Sequence, residues 1–410
     1  MKVVFVNHSD TKGGASVVTV RLMNALSDLG VDVRMLVTHK ATDDPRIALL
    51  RPELRRKAAF VAEAGEIFLG NGLHRDDIFK VSLADCGMDV HSHPWVREAD
   101  VVVLNWVNQG VMSLAEVARI KAPVVWTMHD MWNFTGACHH AGACRRFTGS
   151  CGHCPLFFRG RLDSDLSRRT FRRKCRLYAR KNIHFVAVSS WLAALARESG
   201  LMGHIPLSVI PNAFPVENFS PEAKRDRAHY GLPEGRRLVI MGAARLDDPI
   251  KGFDMAVDTL NRLTDENVAA VFFGDLRDPS LLDRLDIPYV HLGTVTDHAM
   301  LHDIYAHADV VLSSSLCETL PGTLIEGMAS GCVPVSFHSG GQADIVDHLI
   351  TGYLAPLGDT AALAEGIRMA LADSFDRTAI RSSVIDRFSA PMIASRYLDL
   401  FRKSTFESLS

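Results

Sequence analysis

An α/β fold in two domains, each a doubly wound parallel sheet, is predicted by three features of the sequence. The chain has 410 residues, more than one hydrophobic core usually organises, and about 100–200 residues per domain is the usual size. Short β-branched runs alternate with longer amphipathic stretches from the first residue, the pattern of parallel strands joined by crossover helices. The composition, 47% hydrophobic and 22% charged, is that of a globular protein with a buried core and excludes wholesale disorder.

The elements follow in order. Residues 3–6 read as the first strand, and a helix over 15–29 carries Val18, Leu22, Leu26 and Leu29 on one face until Gly30 stops it. Strands over 31–37, 101–104, 124–128 and 184–188 are apolar enough to be covered on both faces. After Pro211-Asn212 a polar, proline-punctuated stretch runs from 213 to 237, and the pattern resumes at 238–242. Further strands are expected at 268–273, 310–313 and 333–337, with helices at 253–263, 323–330 and 360–371. The domains are therefore placed at 1–213 and 214–389. A last helical segment, 390–410, is left open between them, with a return onto the first domain as one option. Two such domains would face each other across a central cleft at the carboxyl ends of their strands.

A net charge of −2 gives no global attraction for nucleic acid, and no such partner is expected. No apolar run reaches the roughly 18 residues of a spanning helix. The first seven residues read as a strand rather than a signal segment, so a cytoplasmic location is expected, with peripheral contact at the inner face of a membrane as a further option.

Two loops carry anion-binding chemistry. The segment from Asn7 to Ser16 joins the first strand to the first helix, and Gly13 and Gly14 let backbone amides at a helix start approach a phosphate. A tight turn would use the same glycines. In the segment from Cys317 to Gly327, Glu318 and Glu326 flank a Pro-Gly turn, with Glu326 expected in the first turn of the next helix. Free amides at Gly322, Thr323 and Leu324 would favour a diphosphate there. Glu326 would take ribose hydroxyls, or merely complement the helix dipole.

The two glutamates, with seven residues between them and followed by the run from Met328 to Val335, resemble the signature of retaining glycosyltransferase family 4, which has the GT-B fold. The likeness covers almost the whole chain: Gly13-Gly14, the run Trp126-Thr127-Met128-His129-Asp130, Ser189-Ser190-Trp191, Ile210-Pro211-Asn212, the run Gly242-Ala243-Ala244-Arg245, and Lys251-Gly252. It implies front-face substitution on a UDP- or GDP-sugar, in which the departing diphosphate itself receives the acceptor's proton. Charge on the leaving oxygens is then the main thing to stabilise. By this resemblance Arg245 and Lys251 supply fixed cations, Glu318 faces the sugar, and His129 contacts the donor. Asp130 is either the group that orients His129 or a helix cap. Gly340 and Gly341 match a sugar-contacting loop, with Asp344 where a glutamate is usual. No Asp-X-Asp motif stands out as a holder of a divalent metal, and the resemblance implies a family that generally works without one, so no cofactor is expected for catalysis, which should survive chelation of magnesium.

Half of the eight cysteines cluster: Cys138, Cys144, Cys151 and Cys154, with Cys151-Gly152-His153-Cys154 as a Cys-X-X-Cys hook. A closed structural Zn²⁺ is the favoured reading, against disulfides or free thiols. A subset of family 4 is similar here, including the following Pro155. Downstream, Arg168, Arg169, Arg172, Arg173, Lys174, Arg176, Arg180 and Lys181 form a basic segment at 168–181. It is read either as a solvated helix or as a contact for anionic lipid or an acceptor pyrophosphate, with Phe157, Phe158 and Phe171 as shallow anchors.

The expected activity is transfer of a hexose-type sugar to a hydroxyl of a glycan or lipid-linked acceptor in bacterial surface polysaccharide synthesis. A nucleotide-sugar epimerase or hydrolase, and a non-catalytic nucleotide-sugar-binding module, are the alternatives.

Overall fold

The computed structural model describes residues 1–73, 78–157 and 161–407. The chain forms two compact units: Met1–Asn212 together with the chain from Ile393 onward, and Ala213–Met392.

The first unit is built on a parallel sheet of seven strands: β1 (Lys2–Ser9), β2 (Asp32–His39), β3 (Ile47–Leu49), β4 (Val101–Leu104), β5 (Val124–Met128), β6 (Ile183–Ala187) and β7 (Leu207–Val209), in the order β3-β2-β1-β4-β5-β6-β7. Val3 pairs with Val33 on one side and Val101 on the other, which fixes the central register. β4 and β5 are buried at every position because helices cover both sheet faces.

Helices α1 (Gly14–Asp28), α2 (Glu53–Gly70), α3 (Pro94–Arg97), α4 (Leu114–Arg119), α5 (Leu166–Tyr178) and α6 (Ser190–Glu198) complete the crossovers. In α1 the buried face includes Leu22, Met23 and Leu26. Leu29, expected on that face, is instead its exposed C-cap.

The second unit carries a parallel sheet of six strands: β8 (Arg237–Arg245), β9 (Val268–Asp275), β10 (Tyr289–His291), β11 (Val310–Ser313), β12 (Val333–Phe337) and β13 (Tyr353–Ala355), ordered β10-β9-β8-β11-β12-β13. Around it lie α7 (Phe253–Asn261), α8 (His298–Ala306), α9 (Gly322–Ala329), α10 (Thr360–Leu371) and α11 (Arg377–Phe388). The last helix, α12 (Ala390–Glu407), begins in the second unit and continues into the first. There the Tyr397 hydroxyl bonds Thr127 Oγ1 at 3.0 Å, and Arg396 donates to the Val209 carbonyl at 2.6 Å. Residues 408–410 of the expected terminal helix lie outside the described residues.

In each sheet the chain reverses its direction of strand addition once, between β1 and β4 in the first and between β8 and β11 in the second. Open α/β sheets bind ligands outside the carboxyl ends of such strands. Loops that follow β1, β4 and β5, or β8, β11 and β12, are therefore the places to look.

Candidate active site

In the second unit, β8 ends at Arg245 and a short turn leads to Lys251. Asp248 ties the two together: its carboxylate meets the Arg245 guanidinium at 3.0 Å and caps the Ile250 amide, while its carbonyl accepts from the Lys251 amide at 2.8 Å. Gly252 closes the turn in the left-handed region at φ 62°, and a Cβ there would lie 2.3 Å from the Ser314 carbonyl. Glycine is what lets this turn press against the end of β11.

From the β11 side comes Glu318, whose carboxylate forms an ion pair with Lys251. Its backbone is clasped by the loop after β12. The Gly341 amide donates to the Glu318 carbonyl at 2.7 Å, and Gly340, at φ 58°, has no room for a Cβ, which would stand 2.3 Å from that same oxygen. Gln342, fully buried, holds this loop to β11: its Oε1 accepts from Ser313 Oγ, and its Nε2 donates to the carbonyls of Ser315 and Phe337. Arg245, Lys251, Glu318, Gly340 and Gly341 are thus joined through contacts in one unit.

Two features favour an anion at this place. The Nε of Arg245 is buried and makes no hydrogen bond; Asp247 Oδ1, buried and without a donor, lies 3.5 Å away as an ion-pair partner only. Buried donors in native proteins are normally satisfied, so a guanidinium nitrogen that makes no hydrogen bond favours a ligand oxygen. The second feature is α9, whose N-cap is Pro321, with no side chain capping its first amides. Those of Gly322, Thr323 and Leu324 therefore keep the positive end of the helix available. Glu326 is the fifth helical residue, not a first-turn residue as expected; α9 has no acidic residue in its first turn. Dipole complementation therefore does not account for this buried carboxylate.

In the first unit, α1 starts at Gly14, and Gly13 before it adopts φ 86° with no side-chain cap. A Cβ on either glycine would meet nothing within 4 Å, so the loop faces open space. His129 follows β5, and its Nε2 lies 3.0 Å from Asn105 Oδ1, at the end of β4. Burial lowers its pKa to about 4, although Asp130 opposes the shift, so the ring is neutral near pH 7.

Asp130 does not hydrogen-bond His129; it faces a separate network. Its carboxylate accepts from the Trp132 amide at 2.8 Å, from the Trp106 indole at 3.1 Å, and lies 2.7 Å from His139 Nδ1. Burial would raise this acid, but His139 and the Trp132 amide outweigh it and hold the pKa at about 2. The expected orienting role therefore passes to Asn105, and Asp130 acts as a cap and anchor. Asn105, Trp106 and His139 are the neighbours the sequence did not single out for this role. Asn105-Trp106 directly follows an apolar strand, which was the available signal.

The cysteine cluster differs from the closed metal site expected. None of Cys138, Cys144, Cys151 and Cys154 forms a disulfide. Among the described residues, the only group of three or more His, Cys, Asp or Glu residues with ligand atoms all within 4.8 Å of one another is Asp89, His91 and Glu116. A tetrahedral zinc with bonds near 2.3 Å sets its sulfurs about 3.8 Å apart, so this arrangement does not fit a closed four-thiolate site. Burial instead pushes the thiols of Cys151 and Cys154 up to about 12. Cys138 and Cys154 pack on the apolar cluster of Ile67, Val81, Leu83, Ala137 and Phe157.

The basic segment is corrected in the same way. Arg169 and Arg173 bind Asp85, Arg168 binds Asp163, and Lys181 donates to the Ile120 carbonyl. Lys174 is fully buried, donating to the Trp132 and Thr135 carbonyls with its amine 3.5 Å over the Trp132 ring. Arg169, Arg172, Arg176 and Arg180 of that segment are exposed, and of these Arg169 is held by Glu66 and Asp85. Phe157 and Phe171 are buried and cannot serve as surface anchors, while Phe158 lies outside the described residues. Among the described residues no helix is long and apolar enough to cross a membrane.

The chain is similar to known proteins in family and in fold. A family model described as Glycosyltransferase Family 4 matches residues 12–218, and one described as Glycosyl transferases group 1 matches residues 236–373. The chain is similar to glycogen synthase 2 of Nitrosococcus oceani, 29% identical over 201 residues, or 44% of this chain and 40% of that one. It is likewise similar to N-acetyl-alpha-D-glucosaminyl L-malate synthase of Bacillus anthracis, 29% identical over 212 residues, or 45% and 52% of the two chains. The matches thus span about half or less of these relatives. The solved structure of Anabaena HepE in complex with UDP and glucose shares the fold, with a TM-score of 0.67, 17% identity and coverage of 98% of this chain and 99% of that one. With a family model accounting for half of its length, the chain belongs to glycosyltransferase family 4, and its two Rossmann-like domains have the GT-B fold.

Proposed function

We propose that this family member is a retaining glycosyltransferase that moves a sugar from a UDP- or GDP-sugar to a hydroxyl of a glycan or lipid-linked acceptor, in bacterial surface polysaccharide synthesis. The observation that carries the reading is the cation arrangement of the second unit. Arg245, with an unsatisfied buried Nε, and Lys251, paired to Glu318, flank the switch between β8 and β11. A diphosphate there would meet two fixed cations and the uncapped amides of Gly322, Thr323 and Leu324.

In this mechanism Arg245 and Lys251 stabilise charge as it develops on the departing diphosphate, which takes the acceptor's proton on the same face of the sugar. Lys251 must then exchange part of its bond to Glu318 for the phosphate, which frees the carboxylate for sugar hydroxyls. Glu326 is assigned the ribose hydroxyls. His129, neutral at working pH, is assigned the donor sugar, and the Gly13-Gly14 loop an amide approach to an anion. The complex of HepE with UDP and glucose supports a nucleotide-sugar donor.

The test is product analysis with a panel of labelled UDP- and GDP-sugars and an extracted lipid-linked acceptor. An enlarged glycan with the donor's anomeric configuration is expected. An isomerised donor or free sugar alone would assign the protein to epimerisation or hydrolysis, and no turnover with any donor, together with no nucleotide binding, would remove the reading.

A further inference from the structure

At the amino-terminal end of the first sheet lies a cavity of about 390 Å³, lined by His91, Ser92, Val96, Arg97, Arg119 and Lys121. Arg97 ends α3 shortly before β4; Arg119 ends α4, and Lys121 follows it before β5. Because β4 runs parallel to β1 and β5, this end is opposite the loops that carry Asn105 and His129. The length of β4, roughly 13 Å at about 3.3 Å per residue, lies between the two ends. The cavity is therefore separate from the candidate active site, and its size is that of a small-molecule pocket.

The charges of the cavity say what it takes. Arg97 and Lys121 are exposed and make no ion pair among the described residues, while Arg119 has only a 3.5 Å contact with Glu116 Oε2. Glu116 is buried and committed elsewhere: its Oε1 accepts from the Val90 and His91 amides and from His91 Nδ1, each at 2.7 Å. Asp89 Oδ1 stands 3.1 Å from the same ring nitrogen. Facing two carboxylates, Nδ1 is the donor, and Nε2 is the nitrogen left for a ligand. Asp89, His91 and Glu116 have the residue types of a cation site, yet three donors occupy one Glu116 oxygen and a guanidinium stands beside the other. Of the neighbouring acids, Glu98 is paired with Lys2, and Asp100 accepts from the Lys2 amide. Three cations, an imidazole and a hydroxyl therefore converge on a recess that suits a dianionic phosphate. Val96, its one apolar lining residue, is buried, so nothing apolar projects towards acyl chains, and a soluble anion fits better than a bilayer.

We infer that this cavity is a separate anion site, which takes the phosphate group of a small, soluble phosphorylated metabolite. Arg97, Arg119 and Lys121 meet the phosphate oxygens, and Ser92 and His91 meet the rest of the molecule. The inference stands on the cavity itself and does not depend on the transfer reaction.

The experiment is isothermal titration of inorganic phosphate into the full chain at fixed ionic strength, with chloride as the ionic control. It is done in the Lys251→Ala background, so that the proposed donor site contributes little. One saturable site per chain is expected. Adding Arg119→Ala/Lys121→Ala should weaken it about tenfold or more, because two charge-assisted contacts are lost, with an unchanged circular dichroism spectrum. Adding Arg172→Ala/Arg176→Ala instead, which removes equal charge from α5, should leave it intact. No saturable uptake, unchanged affinity without Arg119 and Lys121, or an equal loss in the α5 variant would overturn the inference. So would sedimentation with vesicles containing phosphatidylglycerol that needs Arg119 and Lys121 and resists free phosphate, by assigning these cations to a lipid headgroup.

Discussion

Lys251 is the residue on which the proposed chemistry most depends. It is partly exposed and paired with a carboxylate that is itself partly buried, so removing the amine should leave the fold intact while deleting a fixed positive charge. Lys251→Ala is expected to lower turnover by about 10²–10³, the loss typical of a missing stabilising donor, with an unchanged melting temperature. Turnover within about twofold of wild type would show that the charge lies elsewhere.

His129 gives a residue-scale prediction for pH. Its pKa drops from 6.5 to about 4 in the folded chain. Above pH 6.5 it is neutral in both states and stability is fully present. As pH falls from 6.5 towards 4, the unfolded chain takes up a proton that the folded chain resists, so stability is lost by up to about 3 kcal/mol. His8, likewise lowered to about 4 chiefly by burial, adds to the same slope. Asp130 titrates below this window. Melting temperature measured from pH 7 to 4 should therefore fall less steeply in His129→Gln than in wild type, and parallel curves would contradict the assignment.

At the scale of elements, the cysteine segment shows how a sequence motif can change meaning once packed. Cys151 Sγ accepts from the Gly136 amide at 3.2 Å, and Cys154 packs on Phe157 and Val81. As placed, none of the four cysteines is in a disulfide, and Cys138 and Cys154 pack on an apolar cluster. Cys151→Ser/Cys154→Ser should destabilise the chain by about 1–3 kcal/mol per buried hydroxyl left poorly paired, measured by denaturant unfolding. Metal analysis of the purified protein separates this from the zinc reading, because one zinc per chain, lost in the double variant, would show that the sulfurs close on an ion. Helix α5 carries a similar lesson. Its basic run looks like a surface patch in sequence, yet Asp85, Asp163 and backbone carbonyls take up most of it.

Across the whole molecule, the long apolar strands were legible because residues buried on both sheet faces read as continuous β-branched runs, as at Val101–Leu104 and Val124–Met128. The three-residue strands Ile47–Leu49, Leu207–Val209, Tyr289–His291 and Tyr353–Ala355 were not, since such short segments show no period. Helix α2 was missed for the opposite reason: apolar residues on two faces blur the single stripe that marks an amphipathic helix.

Sequence by itself determined the two-sheet α/β plan, the family resemblance, and the residue types proposed to meet an anion: Arg245, Lys251, and the Pro-Gly turn with its glutamates. All of these depend on local pattern and order along the chain. Tertiary structure alone decided which groups are partners. It paired Lys251 with Glu318, separated by 67 positions, gave Asn105 rather than Asp130 to His129, left Arg245 Nε without an acceptor, and buried Lys174 within a helix that reads as charged. The physical reason is that hydrogen bonding and desolvation act between segments brought together by the sheets, and no local spacing encodes which segments those will be.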